Sequence, residues 1–188
     1  MSLIKFQWAF GNQAEGGRVR MAIRGLGAGG AALALLAIAR ANTDVFLVNW
    51  TPSEPLGVYV RAEGAPFQRG GLAAFLAPPA AFPYADRNMG YLRHTPILKE
   101  VVALAGDQVC TLGDALVING VARARVAQHD RQGRRLPHWI GCRRLVSDEA
   151  FVFSNRAATS FDSRYFGPIS LARAASYRPL ITTQGFGR

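Results

Sequence analysis

The sequence predicts a mostly β protein, in which short antiparallel strands form a partly open barrel or sandwich behind one amino-terminal helix. Three observations predict this fold. The apolar runs after residue 42 are short and end at glycine, proline or asparagine, which is typical of strands joined by tight turns. Asn119-Gly120 stands between two such runs and is a strong signal for a type I′ hairpin. Little of this part of the chain repeats with a helical period, which favours sheets over helices.

The composition indicates a globular protein with an anionic partner surface. The 188 residues suit one domain, and a content of 49% hydrophobic and 18% charged residues excludes a disordered chain. The net charge of +10 favours nucleic acid or phospholipid headgroups as the partner, although a codon bias toward arginine would produce the same excess. No zinc-finger spacing, RNA-recognition signature or basic stripe with interleaved aromatic residues is present, so we expect no nucleic-acid partner.

An uncharged segment near the amino terminus predicts a membrane anchor. Gly25 to Ala39 lies between Arg24 and Arg40, and arginine side chains that snorkel can extend it toward the ~20 residues that span a bilayer. Basic residues dominate upstream, so we expect 1–24 in the cytoplasm, 25–41 as the transmembrane anchor and 42–188 as a periplasmic domain. Ala39-Arg40-Ala41 also resembles a cleavage site, which makes a removed signal peptide the alternative. A buried core helix is the third reading.

The strand pattern then continues along the chain. Strands are predicted at 45–48, 58–61 and 72–76, around Lys99 as far as the Gly106-Asp107 turn, and at 108–112, 115–118 and 151–154. Residues 64–71 are predicted as a loop, 78–91 as a surface excursion or short helix, and 130–137 as a charged, solvated loop.

Ser53 is the first candidate site residue. It lies between Pro52 and Pro55, directly after the apolar run 45–48. Prolines fix φ and remove backbone donors, so Ser53 is predicted on a stiff turn that holds its hydroxyl in one geometry. Pro-Ser-x-Pro is most often an ordinary turn, so a catalytic role depends on a partner elsewhere in the chain.

Lys99 is the candidate partner. The chain contains 20 Arg and only 2 Lys, and in an extended strand Lys99 shares a face with Ile97, Val101 and Ala103 while Glu100 points the other way. Unlike arginine, lysine can lose its proton, which a general base requires. A lysine on an apolar face therefore indicates a base rather than a structural cation.

A third segment, Ser160 to Pro168, alternates polar and aromatic residues. Asp162 can pair with Arg164, and the hydroxyl of Ser160 can reach a lysine amine, although a capped turn has the same composition.

The two cysteines, Cys110 and Cys142, lack the spacing of a redox or metal motif. Export would make a disulfide between them reasonable, and two unpaired buried thiols are the alternative.

Together the three segments resemble the type I signal peptidases, which are membrane-bound Ser/Lys proteases, and most closely their conjugative-transfer branch, the TraF-type peptidases that process pilin subunits. Residues 51–59 resemble the nucleophile box, 98–107 the lysine box and 160–168 the final box, and the resemblance extends from Phe46 to Pro179. Further residues that fit this branch are Asp130, Gly133-Arg134, Leu136-Pro137 and Cys142. The chain departs from the general family at Glu54, which replaces a methionine, at Glu100, which replaces a basic residue, and at Ala105, which replaces a proline.

The resemblance implies a role for each site residue. Ser53 would attack the scissile carbonyl while neutral Lys99 accepts its proton, as in other Ser/Lys enzymes. The backbone N–H of Ser53 and the Thr51 hydroxyl would form the oxyanion hole. Ser160 would orient Lys99, and Asp162 with Arg164 would hold that segment in place. We expect no metal and no cofactor, because His94, His129 and His138 show no metal spacing.

The predicted function is that of a membrane-anchored periplasmic serine peptidase that matures a conjugative pilin, and the resemblance implies that such enzymes can also cyclise it. The expected partners are the pilin precursor, the bacterial inner membrane and conjugative type IV secretion components. One alternative is a general signal peptidase acting on many exported proteins. Another is a non-catalytic component of the secretion channel.

Overall fold

The computed structural model describes residues 45–183 and the backbone of Gly185 and Phe186. Within these residues no helix is both long and apolar enough to cross a membrane. The segments predicted as cytoplasmic, 1–24, and as the anchor, 25–41, lie outside the described residues. The expectation of an amino-terminal anchor helix therefore stays a prediction.

The described secondary structure is dominated by short strands, as the sequence predicted. The strands are β1 (Phe46–Asn49), β2 (Gly57–Arg61), β3 (Leu72–Phe75), β4 (Ile97–Ala103), β5 (Gln108–Leu112), β6 (Ala115–Ile118), β7 (Val121–Arg125), β8 (Cys142–Arg144), β9 (Glu149–Val152), β10 (Ile169–Ser170), β11 (Ala174–Thr182) and β12 (Gly185–Phe186). Short α-helices span Tyr84–Asn88 and Ser163–Phe166, and 3₁₀ turns span Pro79–Ala81, Gly90–Arg93 and Leu171–Arg173.

The described strands form two antiparallel sheets. The larger runs in the order β1-β2-β11-β3-β4-β9-β10, with β12 paired to β11, and the smaller runs in the order β7-β6-β5-β8. In the larger sheet the path does not return from β10 to β1, so the described strands form an open, curled sheet. The prediction of a mostly β, antiparallel fold is confirmed.

The hairpin signal at Asn119-Gly120 is also confirmed. These two residues join β6 to β7 and have φ values of 51° and 79°. A type I′ turn requires positive φ at both central residues, which asparagine and glycine tolerate best.

Apolar residues pack on both faces of the larger sheet. One cluster joins Phe75, Val101, Val152 and Phe166 beneath the short helical segments. A second cluster fills the space toward the smaller sheet, where Ala103 and Phe151 meet residues of β5 and β6. The opposite face of the larger sheet buries Tyr59, Ala74, Leu98 and Tyr177. Because β4 contributes to all three clusters, the strand that carries Lys99 lies at the centre of the fold.

Gly57 shows why the start of β2 requires glycine. Its φ is 148°, and a Cβ added there would lie 2.1 Å from the carbonyl oxygen of Ile181. Any side chain would therefore push β2 away from β11. This close approach of two backbones fixes the end of the loop that carries Ser53.

Cys110 and Cys142 are cross-strand partners on β5 and β8 and are joined in a disulfide bond. The bond closes a loop with a sequence separation of 32 residues. Such a loop is worth about 3 to 4 kcal/mol in the chain-entropy model.

We therefore expect replacement of both cysteines by alanine to lower the free energy of unfolding by about 3 to 4 kcal/mol. Denaturant unfolding of the oxidised wild type and of the double variant measures this difference. Thiol labelling of unreduced protein should find no free cysteine, and quantitative labelling of both would contradict the bridge.

Candidate active site

The loop between β1 and β2 carries Ser53, and the side chain of Asn49 organises this loop. The amide Nδ2 donates to the carbonyl oxygens of Thr51 at 3.0 Å, Glu54 at 3.0 Å and Pro55 at 3.1 Å. Oδ1 accepts from the backbone N of Thr51 at 3.2 Å and from its Oγ1 at 2.8 Å. A single buried side chain thus satisfies the polar groups of a loop that has no strand partner.

Lys99 projects from β4 into the same region. Lys99 is only 4% exposed, its neighbours on the same face, Ile97, Val101 and Ala103, are buried, and Glu100 is exposed on the other face. Nζ donates to Ser53 Oγ at 2.7 Å and to the carbonyl oxygen of Leu98 at 3.0 Å. The structure therefore brings together the two residues that the sequence singled out as nucleophile and base.

The surroundings of Lys99 favour its neutral form. Burial lowers the pKa of the amine below its usual value, and the charge of Arg164 acts in the same direction. The carboxylates of Asp162 and Glu54 oppose this by favouring the ammonium form. Because burial is the largest of these effects, the amine gives up its proton more readily than a lysine in water. A neutral Nζ at 2.7 Å can accept the proton of the Ser53 hydroxyl.

Asp162 and Arg164 form a buried ion pair beside the two residues. Asp162 is fully buried, and its oxygens accept from Arg164 Nε and Nη2, both at 2.8 Å. Asp162 also accepts from the backbone N of Arg164 at 3.3 Å, which begins the short helix Ser163–Phe166, and from the backbone N of Ser154 at 3.3 Å. The pair therefore connects the final segment to the end of β9.

Ser160 differs from the prediction that it orients Lys99 directly. Its hydroxyl donates to Asp162 Oδ2 at 2.7 Å, and among the described residues the hydrogen bonds of the Lys99 amine go to Ser53 and Leu98. The hydroxyl gives its one proton to the carboxylate, which is a strong acceptor. An effect of Ser160 on Lys99 thus passes through the charge of Asp162.

Thr51 lies close to the nucleophile but is already engaged. Its Oγ1 is 3.4 Å from Ser53 Oγ, and its proton is donated to Asn49 Oδ1. The hydroxyl would have to rotate away from Asn49 in order to donate to an oxyanion. The role predicted for Thr51 stays a prediction.

Sequence reasoning assigned no role to three residues that complete the site. Asn49 is described above, and Ser154 donates its hydroxyl to the carbonyl oxygen of Ser53. Glu54 is 4% exposed, and burial raises its pKa to about 7 against the opposing charge of Lys99. Of these three residues only Glu54 had a signal in the sequence. It is a charged residue between two prolines and next to the candidate nucleophile, which is an unusual place for an acid.

No group of three or more histidine, cysteine, aspartate or glutamate residues in the described part of the chain is arranged to hold a metal ion. Two cavities, of about 690 Å³ and about 460 Å³, open elsewhere on the described surface. Ser53 and Lys99 line neither of them.

Comparison with known proteins identifies similar sequences. The family model described as signal peptidase, peptidase S26, matches residues 22–176. A conjugal transfer protein TraF from Agrobacterium fabrum is 38% identical over 135 residues, covering 66% of this chain and 74% of the relative. A plasmid transfer protein TraF from Escherichia coli is 32% identical over 146 residues, covering 72% of this chain and 82% of the relative.

Among solved structures, a signal peptidase I from Enterococcus faecalis matches 58% of this chain and 94% of its own chain at 21% identity. Its TM-score is 0.34, which is too low to support a conclusion about the fold.

Proposed function

The chain belongs to the signal peptidase family, peptidase S26, and on this basis we propose that it is a serine peptidase of a conjugative transfer system, with Ser53 as nucleophile and Lys99 as general base. The 2.7 Å contact between Lys99 Nζ and Ser53 Oγ carries the proposal. Both side chains are buried, so the contact is shielded from water and the amine is poised to accept a proton. The names of the TraF relatives support the assignment to conjugation.

In the proposed reaction Ser53 Oγ attacks the scissile carbonyl as its proton moves to Lys99 Nζ. The backbone N–H of Ser53, joined by the Thr51 hydroxyl once it has rotated, stabilises the negative charge on the carbonyl oxygen, and such a donor is worth about 3 to 4 kcal/mol. Lys99 then returns the proton to the leaving amine, which breaks the peptide bond and leaves an acyl ester on Ser53.

The acyl ester can end in two products. Attack by water releases a carboxylate and restores the Ser53 hydroxyl. Attack by the substrate's own amino group forms an amide, expels the Ser53 oxygen, and yields a cyclic product lighter than the linear one by one water. We propose a pilin precursor as the substrate, and the intact mass of the mature pilin distinguishes the two products.

The proposed location is the bacterial inner membrane, with 25–41 as a single anchor, the catalytic domain in the periplasm and conjugative type IV secretion components as neighbours. The charge of the amino-terminal segment supports this orientation. Amino-terminal sequencing of the mature protein tests it, because a protein that begins at Asn42 would have lost the proposed anchor.

Incubation of the full-length protein with the pilin precursor and with several unrelated exported precursors tests the function, with Ser53→Ala as the inactive control. Cleavage of the pilin precursor alone supports the proposal. Cleavage of many precursors would indicate a general signal peptidase. Cleavage of none would indicate a component of the transfer apparatus without peptidase activity.

Asn49→Ala is expected to lower kcat by about tenfold to a hundredfold with little change in KM. The substitution leaves the carbonyls of the loop without their donor, so Ser53 is no longer held in one geometry, and a misplacement of about 1 Å can cost about 10²-fold in rate. Steady-state kinetics measure the effect. Asn88→Ala is the control, since Asn88 donates to a helix carbonyl, Tyr84 O, outside the site. An Asn49→Ala protein with the kcat of the wild type would exclude this role.

A further inference from the structure

Glu54 is a buried acid beside the proposed catalytic pair, and the reaction described above does not use it. It follows Ser53 directly in the chain and is 4% exposed. Burying a carboxyl group is unfavourable unless hydrogen bonds or charges compensate it. The contacts of Glu54 therefore indicate what the buried acid does.

The carboxylate connects the nucleophile loop to the lysine strand. Glu54 Oε1 accepts from the backbone N of Glu100 at 3.2 Å, and Glu100 follows Lys99. Two consecutive residues of the loop, Ser53 and Glu54, thus meet two consecutive residues of β4, Lys99 and Glu100.

This contact lies on the edge of β4 that faces β9, at the point where the pairing with β9 ends, while β3 still pairs with Glu100 on the other edge. Pairing of β4 with β9 extends to the bond from the backbone N of Phe153 to the carbonyl oxygen of Glu100, and beyond it the chain turns toward Asp162. Glu54 supplies an acceptor for the backbone N of Glu100 at this point. Ser154, at the same end of β9, binds the carbonyl oxygen of Ser53. The loop that carries Ser53 is therefore held by contacts with both β4 and the end of β9.

Burial raises the pKa of Glu54 to about 7, so its carboxyl group carries a full negative charge only above that pH. Its Oε2 lies 3.9 Å from Arg156 Nε, and the side chain of Arg156 is 44% exposed, so solvent screens much of that attraction. The other groups that act electrostatically on Glu54 are Lys99 and Glu100 of β4, and Glu54 itself acts on the phenol of Tyr59 of β2. Lys99 in turn responds to Glu54, to Asp162 and to Arg164.

We propose that Glu54 is a positioning residue, which holds the Ser53 loop against the Lys99 strand and whose negative charge sets how readily Lys99 gives up its proton. This proposal rests on the proposed peptidase function and adds a second determinant to it. It gives a role to Glu54, which stands at the position where the general family has a methionine.

The sign of the effect follows from the charges. A carboxylate near Lys99 favours the ammonium form, so it raises the pKa of Lys99 against the lowering caused by burial. Removing the charge lowers that pKa further. The neutral, reactive amine is then present at a lower pH, and the acid limb of the pH–rate profile moves to lower pH by the same amount.

The chain offers a direct way to observe this. Lys5 and Lys99 are its only lysines, so full-length protein labelled with ¹⁵N at the lysine amine gives two side-chain signals in a nuclear magnetic resonance titration. Lys5 serves as the internal reference, and the Lys5→Arg variant assigns the signals. The measurement needs no substrate, so it is independent of the peptidase assay.

Glu54→Gln removes the charge and keeps an oxygen that can accept from the backbone N of Glu100. We expect the pKa of Lys99 to fall by about one unit in this variant, which is the size of shift caused by one nearby opposite charge. Glu54→Met, also neutral and of similar length, should shift it in the same direction. Glu63→Gln removes an exposed carboxylate elsewhere and should leave the Lys99 titration unchanged.

A Lys99 titration that stays in place or moves to higher pH in both neutral variants would overturn the proposal. A Lys99 signal that titrates together with Lys5 in the wild type would instead contradict the role of Lys99 as the base. The two failures are therefore distinguishable.

In the peptidase assay the neutral variants should move the acid limb of kcat/KM to lower pH. Loss of activity at every pH in folded Glu54→Gln would overturn the positioning role, because it would show that the carboxyl group takes part in the chemistry directly.

Discussion

Lys99→Arg is expected to abolish processing of the pilin precursor while the protein remains folded. Arginine keeps its proton at every accessible pH, so it cannot accept the proton of Ser53. Loss of a general base typically lowers the rate by about 10² to 10⁴-fold, and such a loss appears as no cleavage in a processing assay.

The wild-type enzyme should also show the signature of a titrating lysine. Activity should rise with pH as the amine deprotonates, and the rise should occur below the usual range of lysine because burial lowers the pKa of Lys99. The slope of kcat/KM against pH measures this.

Two further variants complete the Lys99 experiment. Lys5→Arg is the matched control, since it makes the same replacement at the chain's only other lysine. Lys99→Met removes the base without adding a buried charge, so it separates loss of chemistry from strain caused by a guanidinium group. A folded Lys99→Arg protein that still processes the precursor would exclude the Ser/Lys mechanism and would indicate a structural cation.

Asp162→Ala is expected to have the largest effect on stability. It leaves the guanidinium of Arg164 buried without its counterion, and breaking a buried pair by removing one partner costs about 3 to 5 kcal/mol. Since whole proteins are stable by only about 5 to 15 kcal/mol, the yield of folded protein should fall together with the rate. Denaturant unfolding and kcat/KM on the same preparations measure the two effects.

Asp114→Ala is the matched control for this variant. Asp114 pairs with Arg125 at the surface, where both side chains are largely exposed, and solvent screens such pairs so that they contribute little to stability. Asp162→Ala and Asp114→Ala remove the same chemical group from a buried and from an exposed pair. A folded Asp162→Ala protein with full activity would show that the final segment does not support the site.

The strands that the sequence predicted well are those with a strong local pattern. β4 buries alternate residues along the face of Lys99, and β6 and β7 flank a turn whose residues tolerate positive φ. β11 was missed although it is nine residues long. It contains Pro179, beside which its pairing with β2 is irregular, and its burial does not alternate, so no periodic signal marks it. β8 was missed because its residues are exposed and two of them are arginines.

The sequence by itself determined which residues have the chemistry for the site. A serine between two prolines, a lysine on an apolar face in a chain rich in arginine, and an aspartate two residues before an arginine are all visible locally. Only the tertiary structure decided which groups meet. In the structure the Ser160 hydroxyl donates to Asp162, and Glu54 accepts from the strand that carries Lys99. The side chain of Asn49 donates to the loop that carries Ser53. The physical reason is that burial, desolvation and the distance between charges depend on how distant parts of the chain pack together, whereas residue type and strand periodicity are encoded locally.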